Sequence, residues 1–349
     1  MSQDPAVTYE KLTSLWDDED TPVFETSGRK YVVISDVHLG DGGQADDFVG
    51  NTDVMIRALQ HYRDQGYTLV LLGDIEEFWQ FDLNRIVEQY RDTVYKAIRD
   101  FGDDRVYRVF GNHDIEWGTL EDPGRNTPAH NVAALQAIKL KSKSGKTCGL
   151  LVHGHQGSTE SDKTSWFSRF FVRLFANFEG IAKALGLYGH KAATKSMITE
   201  DYERIMYGWA KQQRVILICG HSHRAIFASR SYLEIEEEKM LQIGARLREG
   251  GLDQQTVHDL LEEMDRRRKH IADERARNRE IRRVEPSGPA KPCYFNDGCA
   301  LYPDGMTVIE IDDDELRLVK WNLMPRNGNY REIYCTPMTL SECEQQFVA

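Results

Sequence analysis

A chain of 349 residues, 40% of them apolar, is long enough for one large domain with insertions or for two domains. Its formal charge of -12 argues against duplex nucleic acid as the main partner, while leaving room for a local basic pocket. No run approaches the length of a transmembrane helix, and the polar, acidic N-terminus does not read as a signal peptide. The six cysteines include no CxxC pair and read as thiols, which places the expected compartment in the reducing cytoplasm.

In chain order, residues 1–28 read as an irregular acidic lead containing Trp16-Asp-Asp-Glu-Asp20. A first strand is expected over 30–35 and delivers Asp36 and His38, whose spacing of two puts both side chains on one face. Gly40 and Gly42-Gly43 follow as loop; then 54–62 has helical spacing, ended by Gly66. Thr68-Leu-Val-Leu-Leu-Gly-Asp74 is continuously apolar and reads as a fully buried strand that presents Asp74. One helix over about 83–100 leads to a third strand, Val106-Tyr-Arg-Val-Phe110, which ends in Gly111-Asn-His-Asp114. The β-α-β-α-β order fits right-handed crossovers and a largely parallel sheet.

Residues 128–152 read as a short helix and then a hairpin, with Ser144-Gly145 as its turn. The second arm, Cys148-Gly-Leu-Leu-Val152, ends in His153-Gly-His155. Downstream, Trp166, Phe167, Phe170, Phe171, Leu174, Phe175, Phe178, Ile181 and Leu185 recur at three- and four-residue steps, the pattern of one aromatic amphipathic helix. It either packs on the core or caps the site, with its apolar side chains free to meet an apolar substrate or a membrane surface. His190-Lys191 and Lys195-Ser196 either hold phosphate or face solvent. A further strand, Val215-Ile-Leu-Ile-Cys219, ends in Gly220-His-Ser-His223.

Tyr232-Leu-Glu-Ile and Met240-Leu-Gln-Ile then read as short strands. Over 246–285, eleven basic and ten acidic residues leave only a thin stripe of Val257, Leu260, Met264 and Ile271. This is a solvated helix or helical hairpin inserted into the fold; self-association is the alternative role. Pro286, Gly288, Pro289 and Pro292 close it. Strands resume at Cys293-Tyr-Phe-Asn, and two alternating runs around Asp312-Asp-Asp-Glu315 read as an antiparallel hairpin. Residues 326–349 form a C-terminal tail in this reading.

Five apolar runs thus deliver Asp, Asn or His to one rim, the place where α/β sheets bind ligands. Asp36, His38, Asp74, Asn112, His153, His221 and His223 supply seven oxygen or imidazole donors, enough for two five- to six-coordinate divalent ions if one carboxylate bridges. A set without thiolate, spread from 36 to 223, suits Mn, Fe, Zn or Co rather than a structural zinc site.

Asp36-x-His38, Gly73-Asp74, Gly111-Asn-His-Asp114, His153 and Gly220-His-x-His223 together resemble the five blocks of the calcineurin-like metallophosphoesterases. The resemblance covers about 30–225, plus the closing strands to about 322. It implies an α/β fold: a four-layer α/β/β/α sandwich of two mixed sheets over 29–325, with a helical cap at about 158–213 and the charged helical insertion at about 246–285. By the same resemblance Asp36, His38, Asp74 and His223 would hold one metal, and Asp74, Asn112, His153 and His221 the other. Manganese is the foremost candidate. Two cations about 3.5–4 Å apart make hydroxide available near neutral pH, and it can attack phosphorus in line. His113 would face the phosphate or leaving oxygen as charge stabiliser or proton donor, and Asp114 is expected to orient it.

Gly73-Asp-Ile-Glu-Glu77-Phe-Trp79 further resembles the Gly-Asp-x-x-Glu-x-Trp block of the bacterial UDP-diacylglucosamine pyrophosphohydrolases. Glu77, Trp79, His155, Lys191 and Lys195 are the candidate substrate contacts, although His155 could instead only hydrogen-bond its loop. The expected partner is a phosphorylated small molecule or a lipid-linked substrate, with at most peripheral membrane contact through the cap. A nuclease or nucleotide phosphodiesterase of the same fold is the alternative enzyme. A non-catalytic scaffold is the third reading, but such relatives lose ligands and this chain has lost none.

Overall fold

The computed structural model describes residues 4–118, 134–157, 192–277, 291–326 and 328–348. The first part of the chain forms α1 (Pro5–Asp17), β1 (Val23–Glu25), β2 (Lys30–Ile34), α2 (Thr52–Asp64), β3 (Thr68–Leu72), α3 (Leu83–Tyr90), α4 (Val94–Arg99) and β4 (Val106–Val109). Then come β5 (Ala134–Leu135), β6 (Ile138–Lys141), β7 (Thr147–Leu151), α5 (Ala192–Gln213), β8 (Ile216–Cys219), β9 (Ala225–Phe227) and β10 (Arg230–Ser231). The last part forms α6 (Tyr232–Glu249), α7 (Gln254–Arg277), β11 (Tyr294–Asp297), β12 (Gly305–Asp312), β13 (Glu315–Arg326), β14 (Asn329–Ile333), β15 (Met338–Thr339) and α8 (Leu340–Val348).

The strands make two mixed sheets, ordered β1-β6-β7-β8-β11-β9-β10 and β14-β13-β12-β2-β3-β4-β5, with β15 on β13. In the second sheet β2, β3, β4 and β5 run parallel, and β12 closes antiparallel on β2. In the first, β7, β8 and β11 run parallel.

Apolar runs without alternation follow from burial of both sheet faces. Val32, Ile34, Leu69 and Leu71 point to one side, against α2, α3 and α4. Val33, Val70 and Leu72 point to the other, where they meet Ile138, Leu140, Ile216 and Ile218 of the first sheet. The far face of that sheet carries Leu150, Val152, Leu217 and Cys219, covered by Leu12 of α1 and by Met206 and Trp209 of α5. The period of two along each strand therefore builds helix, sheet, sheet and helix layers.

Several expectations need correction. The N-terminal lead is not irregular. Asp4 caps α1 by accepting from Ala6 N at 2.9 Å, Pro5 opens the helix, and Leu12 is fully buried. The helix expected over about 83–100 is two, α3 and α4, parted at Arg91–Thr93. The runs at Tyr232 and Met240 are not strands but α6: each alternates over only four residues, and the Glu and Lys between them favour helix and offer no turn. The insertion accordingly starts near 232 as a hairpin, α7 packing on α6 and α6 on β9 and β10. The C-terminal tail is structured too. Thr339 and Glu342 form a reciprocal cap (Thr339 N to Glu342 Oε2, 2.7 Å; Glu342 N to Thr339 Oγ1, 3.0 Å) that starts α8. Leu340 and Cys343 then join the inter-sheet core.

The cap expected over about 158–213 divides. Residues 158–191 lie outside the described residues, and so do the short helix expected after 128 and the aromatic stripe. Residues 202–213, by contrast, are core: Tyr202, Met206, Trp209 and Ala210 are buried at helical spacing in α5.

Behind the rim lies a buried ionic network. Arg108 of β4 grips Glu76 through Nη1 at 2.5 Å and Nη2 at 3.0 Å, while Trp117 Nε1 and Tyr95 Oη donate to the same carboxylate at 2.9 and 3.0 Å. Glu76→Ala would leave the buried guanidinium without its bidentate partner, and a cost of about 3–5 kcal/mol is expected. Urea unfolding reads it; an unchanged midpoint would contradict it.

Candidate metal centre

The seven predicted donors converge beyond the carboxyl ends of β2, β3, β7 and β8 and in the loop after β4. Among the described residues, ten other than glycine have positive φ, and five of them are Asp36, His38, Asp74, His221 and His223. Left-handed backbone is costly for such residues and persists where surrounding contacts impose it. Here the strand ends hold one another: Asp36 N donates to Gly73 O at 3.1 Å, and Val37 N and His38 N both donate to Asp74 O, at 2.9 and 3.0 Å. The motif glycines leave the necessary room. A Cβ on Gly111 would overlap Asp74 Oδ1, and one on Gly220 would overlap Ser35 Oγ and Asp36 Oδ2.

Each carboxylate has one oxygen held by the protein and one turned inward. Asp36 Oδ2 accepts from Ser35 Oγ at 2.5 Å and His221 N at 2.7 Å, while Oδ1 lies 3.0 Å from His223 Nε2. Asp74 Oδ1 accepts from His113 N at 2.8 Å, while Oδ2 lies 3.0 Å from His153 Nε2 and 3.9 Å from His38 Nε2. The imidazoles are oriented from their far sides. His38 Nδ1 is 2.9 Å from Glu77, and His153 Nδ1 is 2.9 Å from Leu72 O. Carboxylate and carbonyl partners on Nδ1 are the usual supports of metal-binding histidines. They leave Nε2 lone pairs inward, with those of His38 and His223 only 3.2 Å apart.

Asp36, His38 and His223 form one cluster that could hold a metal ion; Asp74, His153 and His221 form another. Asn112 Oδ1 is buried without a hydrogen-bond partner among the described residues, while Asp36 Oδ1 and His153 Nε2 have only the facing imidazole and carboxylate contacts given above. Inward lone pairs and an orphaned oxygen are what a cation would satisfy, so the residues fit a metal. The electrostatics agree. Burial opposes charge on His153 and His223, yet Asp74 and Asp36 respectively draw both up to about 9. Burial, then His153, pushes His221 down to about 3. Burial works to raise the Asp36 carboxyl, but His223 and His38 outweigh it and hold the group below the usual carboxylate range.

A third cluster, His38, Glu77 and His113, has a different explanation. The buried Glu77 carboxylate lies between the two rings, 2.9 Å from His38 Nδ1 and 2.8 Å from His113 Nδ1. Burial opposes its ionisation, yet His113 and His38 hold it down to about 2. This corrects two expectations. Glu77 is not placed as a substrate contact, because its oxygens are taken by two histidines. Nor does Asp114 orient His113: its carboxylate accepts from Gly111 N at 2.6 Å and Ile75 N at 2.9 Å and sits 3.7 Å from Arg108. Burial, then Asp74 and Glu76, raises Asp114 to about 7. Two backbone N–H groups across the β3–β4 rim outcompete one side chain for it.

Trp79 is half-buried. Its ring stacks on His113 at 4.0 Å between centroids, and its Nε1 donates to Asn112 O at 3.0 Å. His155 is buried beside Phe110 and His153, and burial pushes its imidazole well below the usual histidine range. Lys191 lies outside the described residues; Lys195 falls in α5, where its side chain is not described. Ser35, Asn296 and Asp297, which surround Asp36 and Gly220, were not singled out from sequence. The signal was present, since β11 also ends its apolar run in Asn296-Asp-Gly298.

A four-layer sandwich that gathers carboxylates and imidazoles at the ends of its central strands defines a metal-dependent hydrolase of phosphoric esters. The family model of calcineurin-like phosphoesterases matches residues 29–225, more than half of the chain, and the chain belongs to that family. No curated protein matches it.

Proposed function

We propose that the centre holds two divalent ions, manganese foremost, with Asp74 bridging. Asp36, His38 and His223 complete one position; Asn112, His153 and His221 complete the other. The observation that carries this reading is the division of labour within each carboxylate, one oxygen saturated by protein donors and its twin turned toward imidazole Nε2 atoms. Bound ions of this kind activate water and neutralise phosphoryl oxygens.

The chain's own groups supply the rest. Glu77 accepts at His113 Nδ1, so Nε2 is the ring nitrogen left to meet the leaving oxygen and donate a proton to it. Trp79 stacks on that ring and limits its rotation. We assign the substrate to phosphoesters or diphosphates with an amphiphilic or nucleotide-linked remainder. The resemblance of the Gly73–Trp79 block to that of the UDP-diacylglucosamine pyrophosphohydrolases supports this branch, and its Glu77 and Trp79 both contact His113 here. Among the described residues no helix is long and apolar enough to cross a membrane, and all six cysteines are buried thiols, which suits the cytoplasm.

A substrate panel on the manganese-loaded chain tests this. Higher kcat/KM on a nucleoside-diphosphate-linked lipid than on an aryl phosphodiester is expected, since binding energy from a remote group raises that ratio. Equal values would overturn the amphiphile assignment. The α6–α7 hairpin carries none of the rim donors. Replacing 246–285 with a short Gly-Ser linker is therefore expected to leave metal content and aryl phosphodiester hydrolysis unchanged; loss of metal on replacement would show that the hairpin supports the site.

A further inference from the structure

We infer that Asp297, on a strand beyond the family-matched span, is a positioning residue for the metal position built on Asp36: through Ser35 Oγ it fixes the Asp36 carboxylate with Oδ1 turned to the ion. The inference rests on the two-ion reading above and names what holds one of its ligands in place.

The geometry is closed. Ser35 Oγ lies 2.5 Å from Asp36 Oδ2 and 2.6 Å from Asp297 Oδ1, and Ser35 N donates to Asp297 Oδ2 at 2.7 Å. Asp36 and Asp297 are fully buried, and Ser35 is 1% exposed. One hydroxyl has one proton, so it donates to one carboxylate only. For both contacts to be hydrogen bonds, Asp297 carries a proton and donates to Ser35 Oγ, which donates to Asp36. The carboxylate facing the ion then keeps its charge, and the pair behind it is neutral.

The rest of the segment holds the same loops. Asn296 Nδ2 donates to Gly220 O at 2.5 Å, Ala300 N to Asp36 O at 3.1 Å, and Tyr302 Oη to His223 O at 2.9 Å. Asp297 belongs to the first sheet and Ser35 ends a strand of the second, so the contact is also a tie between sheets. A tie alone would affect stability. A positioning role also changes metal affinity, and the side chain that preserves it is asparagine: its carbonyl accepts from Ser35 N and its amide donates to Ser35 Oγ.

The test is calorimetric titration of the metal-free full chain with Mn2+. Supports of this kind are worth about 10–100-fold in metal affinity. Asp297→Ala and Ser35→Ala are each expected to weaken one of the two binding events by that factor and leave the other unchanged, while Asp297→Asn binds like the wild type. Should Asp297→Ala fail to fold, Ser35→Ala, which removes a single oxygen, carries the test. Folded alanine variants with wild-type affinity at both positions, or an Asn variant as impaired as the Ala one, would overturn the inference. A wild-type chain that takes up no ion would overturn the two-ion reading, and this inference with it.

Discussion

Asp74→Ala is expected to bind neither ion and to lose turnover altogether. Asp74 sits at the end of the central strand β3, and its Oδ2 faces donors of both clusters, His153 at 3.0 Å and His38 at 3.9 Å. A shared carboxylate removes a ligand from both positions at once, whereas Asn112→Ala removes one from a single position. The backbone at Asp74 is left-handed, so alanine adds strain there. Asp74→Asn is the control: asparagine tolerates that backbone and keeps the bond from His113 N, but lacks the charge. Elemental analysis that finds two metals retained in Asp74→Ala would show that this residue does not bridge.

His113→Ala is expected to keep both ions and lose about 10²–10⁴-fold in kcat, the range of a positioned acid or charge stabiliser. The effect should be largest on substrates with poor alkoxide leaving groups and smallest on activated aryl esters, which need little protonation. Glu77→Gln separates the roles further. Glu77 serves His38 as well as His113, so its loss should weaken metal affinity as well as kcat. Unchanged turnover of His113→Ala on an alkoxide-leaving substrate would reduce His113 to a structural residue.

The strands and the seven donors were legible because both depend on local pattern. An apolar run that stops at Asp36, Asp74 or His153 announces a buried strand and what it delivers. The runs announce strands buried on both faces, which helices on either side would also satisfy; the second sheet was expected only from the resemblance of the five motif blocks, and the structure bears it out. What failed was partner choice. Asp114 follows His113 directly, and adjacency suggested a pair. The fold instead turns Asp114 under the rim to Gly111 and Ile75 and brings Glu77 from 36 residues away. Sequence spacing carries no information about which of two nearby carboxylates a ring will meet. The Asp4-Pro5 opening of α1 and the Thr339-Leu-Ser-Glu342 start of α8 were readable capping signals, masked by acidic composition. In α6, short alternation suggested strands, although helix propensity over the full 18 residues pointed the other way. Asp297 was hidden for another reason: its run ends like the ligand strands, but the Asn-Asp-Gly turn reads as ordinary turn chemistry.

The central claim is a two-ion centre bridged by Asp74, and metal stoichiometry measured alongside turnover tests it most directly. The purified full chain, stripped by chelator and titrated with Mn2+, is predicted to bind two ions per chain, with hydrolysis of an aryl phosphodiester lost on stripping and restored as the second ion binds. Full activity in the stripped protein, or saturation at a single ion with complete activity, would contradict it.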